Sequence, residues 1–291
     1  VVGTPVKIVT ERCGARKDRG AGYKTYRTLE DWMTRRADSV VPNSRAGADL
    51  LRERGIDAGK VRVIYNGIDL ERLRLDPERV AAHGRRTGVP LGGKVVGILA
   101  TLTPAKDHAT FLRAAQLVSA NDPGVRYAII GDGPLRGELE ALAATLGIAD
   151  RVTFFGYQSR VADILAICDV IVSSSRDNEG ASNSILEAMA LDIPVVATNI
   201  GGNGELVEDG VTGHLTAVGD HDAIAAAIAA IFADSATTAR LVANARRLVD
   251  SEFSHAGMVA QYEALYDRLL ATKRRAPVAL RQRTRAEGGA E

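Results

Sequence analysis

Short β-rich runs alternate with amphipathic stretches along most of this chain of 291 residues. The runs read "VKIVT", "SVVPNS", "VRVIYNG", "KVVGILA", "VRYAIIG", "RVTFFG", "DVIVSSS", "PVVATN" and "GHLTAV". Near-continuous apolar strands separated by helices call for α/β architecture, with parallel sheets covered by helices on both faces. Between the strands, "DHATFLRAAQLVSA" places Phe111, Leu112, Ala115 and Val118 at helical spacing, and "PLRGELEALAATLG" opens on a proline and ends at Gly147. Both read as crossover helices of βαβ units.

A boundary falls at "NGIDLERLRLDP", after a strand expected over Val61–Tyr65. Residues 1–66 then form the remainder of one Rossmann-like domain and 67–251 a second, more complete one. From Asp220 the pattern turns helical, and beyond Thr272 the periodicity is lost, so 272–291 reads as a disordered basic tail. Its Lys273, Arg274, Arg275, Arg281, Arg283 and Arg285 could meet anionic lipid headgroups or nucleic acid, or simply be solvated.

The balance of 37 basic and 36 acidic residues leaves a net charge of +1, and thus no global field for DNA, RNA or an anionic membrane. Cys13 and Cys168 are too few for a disulfide framework or a zinc site, and read as reduced thiols of a cytoplasmic protein. The longest apolar stretch, Ala223 to Ala233, has 11 residues, where a bilayer span needs roughly 20.

In doubly wound sheets, ligands bind outside the carboxyl ends of the strands, so the loops there hold the candidates. "GDGPLRG", with Gly131, Gly133 and Gly137, is either a tight turn or a backbone cradle for a ligand. Arg136 stands where the dinucleotide fingerprint needs glycine, which disfavours a nicotinamide-dependent oxidoreductase.

The stretch "SSSRDNEGASNSILEAMA" is the more informative one. Glu179 and Glu187 stand eight positions apart in a run that otherwise reads as core, and a buried carboxylate is costly unless it is paired or hydrogen-bonded. Gly180, Ser182, Asn183 and Ser184 fall at the start of the expected helix, where free backbone N–H groups favour phosphate. Ser184-x-x-Glu187 is also a capping box, so a structural cap and a ligand site both stay open. Gly201-Gly202 and Glu205, after "PVVATN", are either a plain turn or part of the same polar cleft. Helix N–H groups and carboxylates together suit a ligand with an anionic phosphate and many hydroxyls, which a nucleotide sugar combines.

Glu179-x7-Glu187 within "EGASNSILEAMALDIPVVATNIGGNGELVEDGVTGHL" resembles the signature of the retaining glycosyltransferases of family four. "DSVVPNS", "VRVIYNGID", "GILATLTPAKDHATFLRAA", "YAIIGDGPLRGELE" and "VTFFGY" resemble that family's successive blocks in order. The resemblance runs from about Asp38 to Ala271 and implies a GT-B fold, two Rossmann-like domains across a cleft. By it, the donor is held mainly by the second domain, and the last helix, within 252–271, crosses back to the first.

The resemblance further implies Lys106 at phosphate, Glu179 at the transferred sugar and Glu187 at the ribose. Backbone from Gly180 to Ser184 would approach sugar and pyrophosphate, Gly131 and Gly133 would border the nucleotide, and Gly156 and Tyr157 would lie near the base. The reaction implied is transfer of a sugar from a nucleoside diphosphate to a hydroxyl acceptor with retention, in glycan, polysaccharide or glycolipid synthesis. Neither a metal nor another cofactor is implied, and peripheral membrane association is compatible with such an acceptor.

Two departures stand out. Thr101 occupies the place of a family arginine that donates to the leaving diphosphate, and His83, His108, His214, His221 and His255 all fail to match the family's N-terminal histidine. The resemblance also begins late in the family's first domain, so the N-terminal domain is expected to be incomplete. A noncatalytic nucleotide-sugar binding module is the alternative these departures support.

Overall fold

The computed structural model describes residues 6–11, 21–88, 93–177 and 179–275. Its N-terminal part contains β1 (Ile8–Glu11), α1 (Ala21–Arg35), β2 (Ser39–Pro42) and α2 (Arg45–Glu53). β1 and β2 pair in parallel, with Val9 opposite Val40. The third run, "VRVIYNG", was expected as a strand, yet it is an extended segment with a single bridge, Val61 to Val40. The reason is Pro42: Val40 N–H donates to Lys60 at 2.9 Å and Arg62 N–H to Val40 at 2.9 Å, but Pro42 has no N–H for the next rung.

The second part runs α3 (Pro77–Thr87), β3 (Val95–Leu99), α4 (His108–Asn121), β4 (Arg126–Ile130), α5 (Arg136–Thr145), β5 (Val152–Gly156) and α6 (Val161–Leu165). It continues through β6 (Val170–Ser173), α7 (Asn183–Ala190), β7 (Val195–Thr198), α8 (Asn203–Leu206), β8 (His214–Thr216), α9 (His221–Ala233), α10 (Ser235–Glu252) and α11 (His255–Arg275). Local chemistry sets the helix ends. At α3, for example, the Asp76 side chain accepts from Glu78 and Arg79 N–H, Pro77 opens the first turn, and Gly88 closes it at φ +62°.

Six strands form one parallel sheet in the order β5-β4-β3-β6-β7-β8. Successive residues on each strand serve opposite faces. Val95, Ala128, Ile130 and Ile171 pack with Ile185, Leu186 and Met189 of α7. Val96, Tyr127, Ile129 and Val172 pack with Phe111 and Leu112 of α4 and Ile224 and Ile228 of α9. Two covered faces explain the unbroken apolar runs, since each fully buried side chain contributes about 1.5–3 kcal/mol. Cys168 lies within the first face, where burial pushes its thiol pKa up and keeps it unreactive; Cys13 lies outside the described residues.

Helix α11 lies against the small N-terminal sheet, where Leu265 packs on Val41 and Ile64. The helix extends to Arg275, so residues 272–275, read from sequence as tail, are helical, and Lys273 pairs with Asp38 at 2.7 Å. Residues 276–291 lie outside the described residues. No single helix among the described residues is long and apolar enough to cross a membrane.

Candidate functional site

From β3 the chain winds outward to β4 and β5, and from β6 in the opposite direction, so the loops after β3 and β6 part at the switch point of the sheet. The β3 loop carries Lys106 and the β6 loop carries Glu179. Lys106 Nζ donates to Glu179 at 2.6 and 2.9 Å, and Glu179 is 7% exposed. The carboxylate is thus buried with its partner, as the cost of burying a charge requires.

Both loops are fastened to each other. Asp107, in the left-handed region at φ 44°, caps α4 and accepts from Thr110 Oγ1 at 2.9 Å. Ser174 Oγ, at the end of β6, donates to the carbonyls of Lys106 and Asp107, both at 3.0 Å. Arg176 N–H donates to the Ala105 carbonyl at 2.8 Å. The lysine is therefore held over the crevice by its own backbone.

The capping alternative for Glu187 falls on register. Helix α7 starts at Asn183 with Ser182 as its cap residue, so Ser184 lies inside the helix and cannot form the box. Ser182 makes no side-chain capping bond, which leaves the first turn's N–H groups without that partner. Glu187 lies in the second turn, and its carboxylate makes no hydrogen bond or ion pair among the described residues. Burial pushes its pKa up to about 7.

A cavity of about 580 Å³ joins these groups. Thr101, Lys106, Gly131, Tyr157, Glu179, Gly180, Ser182, Asn183, Ser184 and Glu187 all line it, and Lys106 is its only cationic side chain among the described residues. A second hollow, of about 700 Å³, continues past Glu187 and Tyr157 toward Gly67 and Arg72.

Gly133, expected to border a nucleotide, and Gly156, expected near its base, are not among the residues lining the cavity, and both shape the backbone beside it. A Cβ on Gly133 would stand 2.6 Å from the Leu102 carbonyl oxygen, so glycine there lets the β4 loop pack on the β3 loop. Gly156, at φ +71°, follows a register shift between β4 and β5 and delivers Tyr157, which is 79% exposed, to the cavity mouth. Gly131 does both, since it lines the cavity and a Cβ on it would stand 2.0 Å from the Ala100 oxygen.

Asn43 and Asn66 also line the cavity, although the sequence reading passed over them. Asn43 Nδ2 donates to the Ala181 carbonyl at 3.4 Å, and Asn66 Nδ2 to Asn183 Oδ1 at 2.8 Å. The available signal was that "VVPN" and "VIYN" each close an N-terminal run with asparagine, where a crevice would open. Glu205 departs from the expected polar cleft: it does not line the cavity, and its carboxylate accepts from Arg45 N–H, Ala46 N–H and Tyr65 OH.

Gly201 and Gly202 pack against the backbone of the Glu179 loop. A Cβ on Gly201, at φ +53°, would fall 1.9 Å from the Glu179 carbonyl oxygen, and one on Gly202 would meet Gly180 at 2.7 Å. Gly201→Ala is therefore expected to cost about 2 kcal/mol or more, from positive φ plus backbone collision, read as a lowered unfolding midpoint. A midpoint unchanged from wild type would show that the loop gives way freely.

The doubly wound sheet, the return helix and the carboxylate-lined crevice define an α/β protein of GT-B type. Residues 82–248 match the family model described as glycosyl transferases group 1, and residues 9–72 match that for glycosyltransferase family 4. The chain belongs to the glycosyl transferases group 1 family.

Among curated relatives, the lipopolysaccharide core biosynthesis glycosyltransferase LpsE of Rhizobium meliloti is 31% identical over 78% of this chain and 64% of its own length. The N-acetyl-alpha-D-glucosaminyl L-malate synthase of Bacillus anthracis is 27% identical over 91% of this chain and 69% of its own. The chain thus spans 64% and 69% of these two relatives. Anabaena HepE in complex with UDP superposes with a TM-score of 0.80, at 27% identity, covering 90% of this chain and 72% of that one. Its complex with UDP-glucose gives 0.77 at 29% identity, covering 84% and 68%.

Proposed function

We propose that the crevice binds a nucleoside diphosphate sugar and that the chain transfers its sugar to a hydroxyl acceptor with retention. The observation that carries this reading is the pairing of Lys106 with buried Glu179 beside an unpartnered Glu187, at the start of α7. The diphosphate lies at Lys106 and the N-terminal turn of α7, where N–H groups and a fixed cation meet growing negative charge. Glu187 accepts from the ribose hydroxyls, Glu179 from those of the transferred sugar, and Tyr157 borders the base. UDP is the nucleotide favoured by the likeness to HepE, whose complexes contain UDP and UDP-glucose.

In the transfer, the bond between the anomeric carbon and the phosphate oxygen breaks while the acceptor oxygen bonds that carbon on the same face. The acceptor's proton passes to the departing phosphate. Charge therefore collects on the leaving diphosphate, and Lys106 is the side chain placed to offset it. Thr101, where the family resemblance implied an arginine, offers a hydroxyl donor in place of a second cation. The acceptor is a hydroxyl compound of glycan or glycolipid synthesis, with peripheral membrane docking where it is lipid-borne. The relatives span lipopolysaccharide core and L-malate in their names, so this part of the substrate varies within the family.

Calorimetric titration with UDP, followed by assay of UDP-glucose consumption with and without a glycan acceptor, tests the reading. Binding together with consumption is expected. Binding without consumption would support the noncatalytic module, and absence of binding to UDP and to GDP would overturn the donor site itself.

A further inference from the structure

We infer that Glu205 is a positioning residue that ties the placement of the N-terminal domain to the geometry of the Glu179 loop; this deepens the proposed function and rests on it. Glu205 lies on α8, three residues after Gly202. Its Oε2 accepts from Arg45 N–H at 2.8 Å and from Tyr65 OH at 2.6 Å, and its Oε1 accepts from Ala46 N–H at 2.9 Å. All three donors belong to the N-terminal part. Two of them are first-turn N–H groups of α2, where a carboxylate is favoured by the helix dipole.

The other end of the same short segment bears on the donor loop. Gly202 N–H donates to the Glu179 carbonyl at 3.3 Å, and Gly201 leaves no room for a Cβ against that carbonyl. A displacement of the N-terminal part is thus passed through Glu205 and a rigid turn to the backbone that holds Glu179. Asn43 and Asn66, chain neighbours of Ser44 and Tyr65, reach Ala181 and Asn183 on that loop directly. The contacts converge on one segment, 179–183, from one side of the crevice.

Two domains of one chain move relative to each other by default unless their interface is large and hydrophobic. Here the interface carries a carboxylate with three bonds, and bonds to a charged acceptor are stronger than neutral ones. Burial and the bond to Glu205 push the Tyr65 pKa up to about 12, so its hydroxyl remains a donor across the working pH range. Donor-loop geometry consequently reports whether the acceptor-side domain is in place, which couples sugar positioning to closure. On the proposed reading, Lys106 on the β3 loop and Glu187 in the second turn of α7 hold phosphate and ribose from outside 179–183, so UDP depends on this tie less than the sugar does.

The test compares wild type with Glu205→Ala, Glu205→Gln and Tyr65→Phe. UDP affinity is measured by calorimetry, UDP-glucose consumption by steady-state assay, and amide exchange at 44–47 and 179–183 by mass spectrometry. For Glu205→Ala, kcat is expected to fall about tenfold or more with UDP affinity within threefold, and 179–183 to exchange faster. Glu205→Gln keeps one acceptor oxygen and is expected to fall between, as is Tyr65→Phe.

Faster exchange at 44–47 alone, with kcat and 179–183 unchanged, would reduce Glu205 to a helix cap and overturn the inference. So would a loss of UDP affinity in step with kcat. If wild type neither binds UDP nor consumes UDP-glucose, the donor reading fails, and exchange at 179–183 in the folded variants still decides the tie.

Discussion

Lys106→Ala is expected to lower donor turnover by about 10²–10³-fold, the scale seen when one group that stabilises transition-state charge is removed. Among the described residues Lys106 is the only cationic side chain lining this cavity, and Thr101 stands where the family resemblance implied a second. The same change also leaves Glu179, 7% exposed, without its partner, and breaking such a pair typically costs about 3–5 kcal/mol. Lysine is 29% exposed at its side chain, so the lower end of that range is expected.

Stability and catalysis can be separated. Lys106→Ala combined with Glu179→Gln removes the orphaned charge, and should regain most of the thermal midpoint without regaining turnover. Recovery of turnover in the double variant would mean that Lys106 serves Glu179 and not the leaving phosphate.

Glu187→Gln is expected to weaken UDP binding by about 10–100-fold, since hydrogen bonds to a charged acceptor contribute about 1.5–3 kcal/mol. Burial holds the wild-type carboxyl pKa at about 7, above its ordinary 4.5, and a ribose needs the ionised form to accept from two hydroxyls. Wild-type affinity should therefore rise with pH up to about 7 and then level off, with proton release on binding, and the variant should be flat. A flat wild-type profile would remove Glu187 from the ribose.

The same shift makes a stability statement of the opposite sense. A folded-state pKa raised from 4.5 to about 7 adds stability that is full below pH 4.5 and lost as pH rises through 7. Glu187→Gln should match wild type in acid and be the more stable of the two above neutrality, by at most roughly 3 kcal/mol. A variant less stable than wild type at pH 8 would mean that the ionised carboxylate has a favourable partner in the free protein.

Several features were legible in the chain because they are local. The unbroken apolar runs specified strands buried on two faces, and the parallel sheet followed. The spacing of Glu179 and Glu187, with the ordered blocks around it, pointed to the family. The third N-terminal run failed as a strand for an equally local reason: Pro42 lacks the N–H that the next rung needs.

Other features required the assembled structure. Glu205 and Glu187 look alike in sequence, an acid after a glycine-bearing turn and an acid on a helix, and only packing separates them. One has three donors from the N-terminal part, the other none among the described residues. The capping box looked equal to a ligand site until the first turn of α7 was fixed at Asn183.

Sequence by itself determined most of the element types and the doubly wound class, because periodicity acts within a few turns of the chain, and the resemblance to the family singled out the acids and lysine of the crevice. Tertiary structure alone decided which carboxylate is paired, which is left open to a ligand and which joins the two parts. Those outcomes depend on burial and on partners more than 70 positions away, as Lys106 and Glu179 are, and no local pattern encodes that distance.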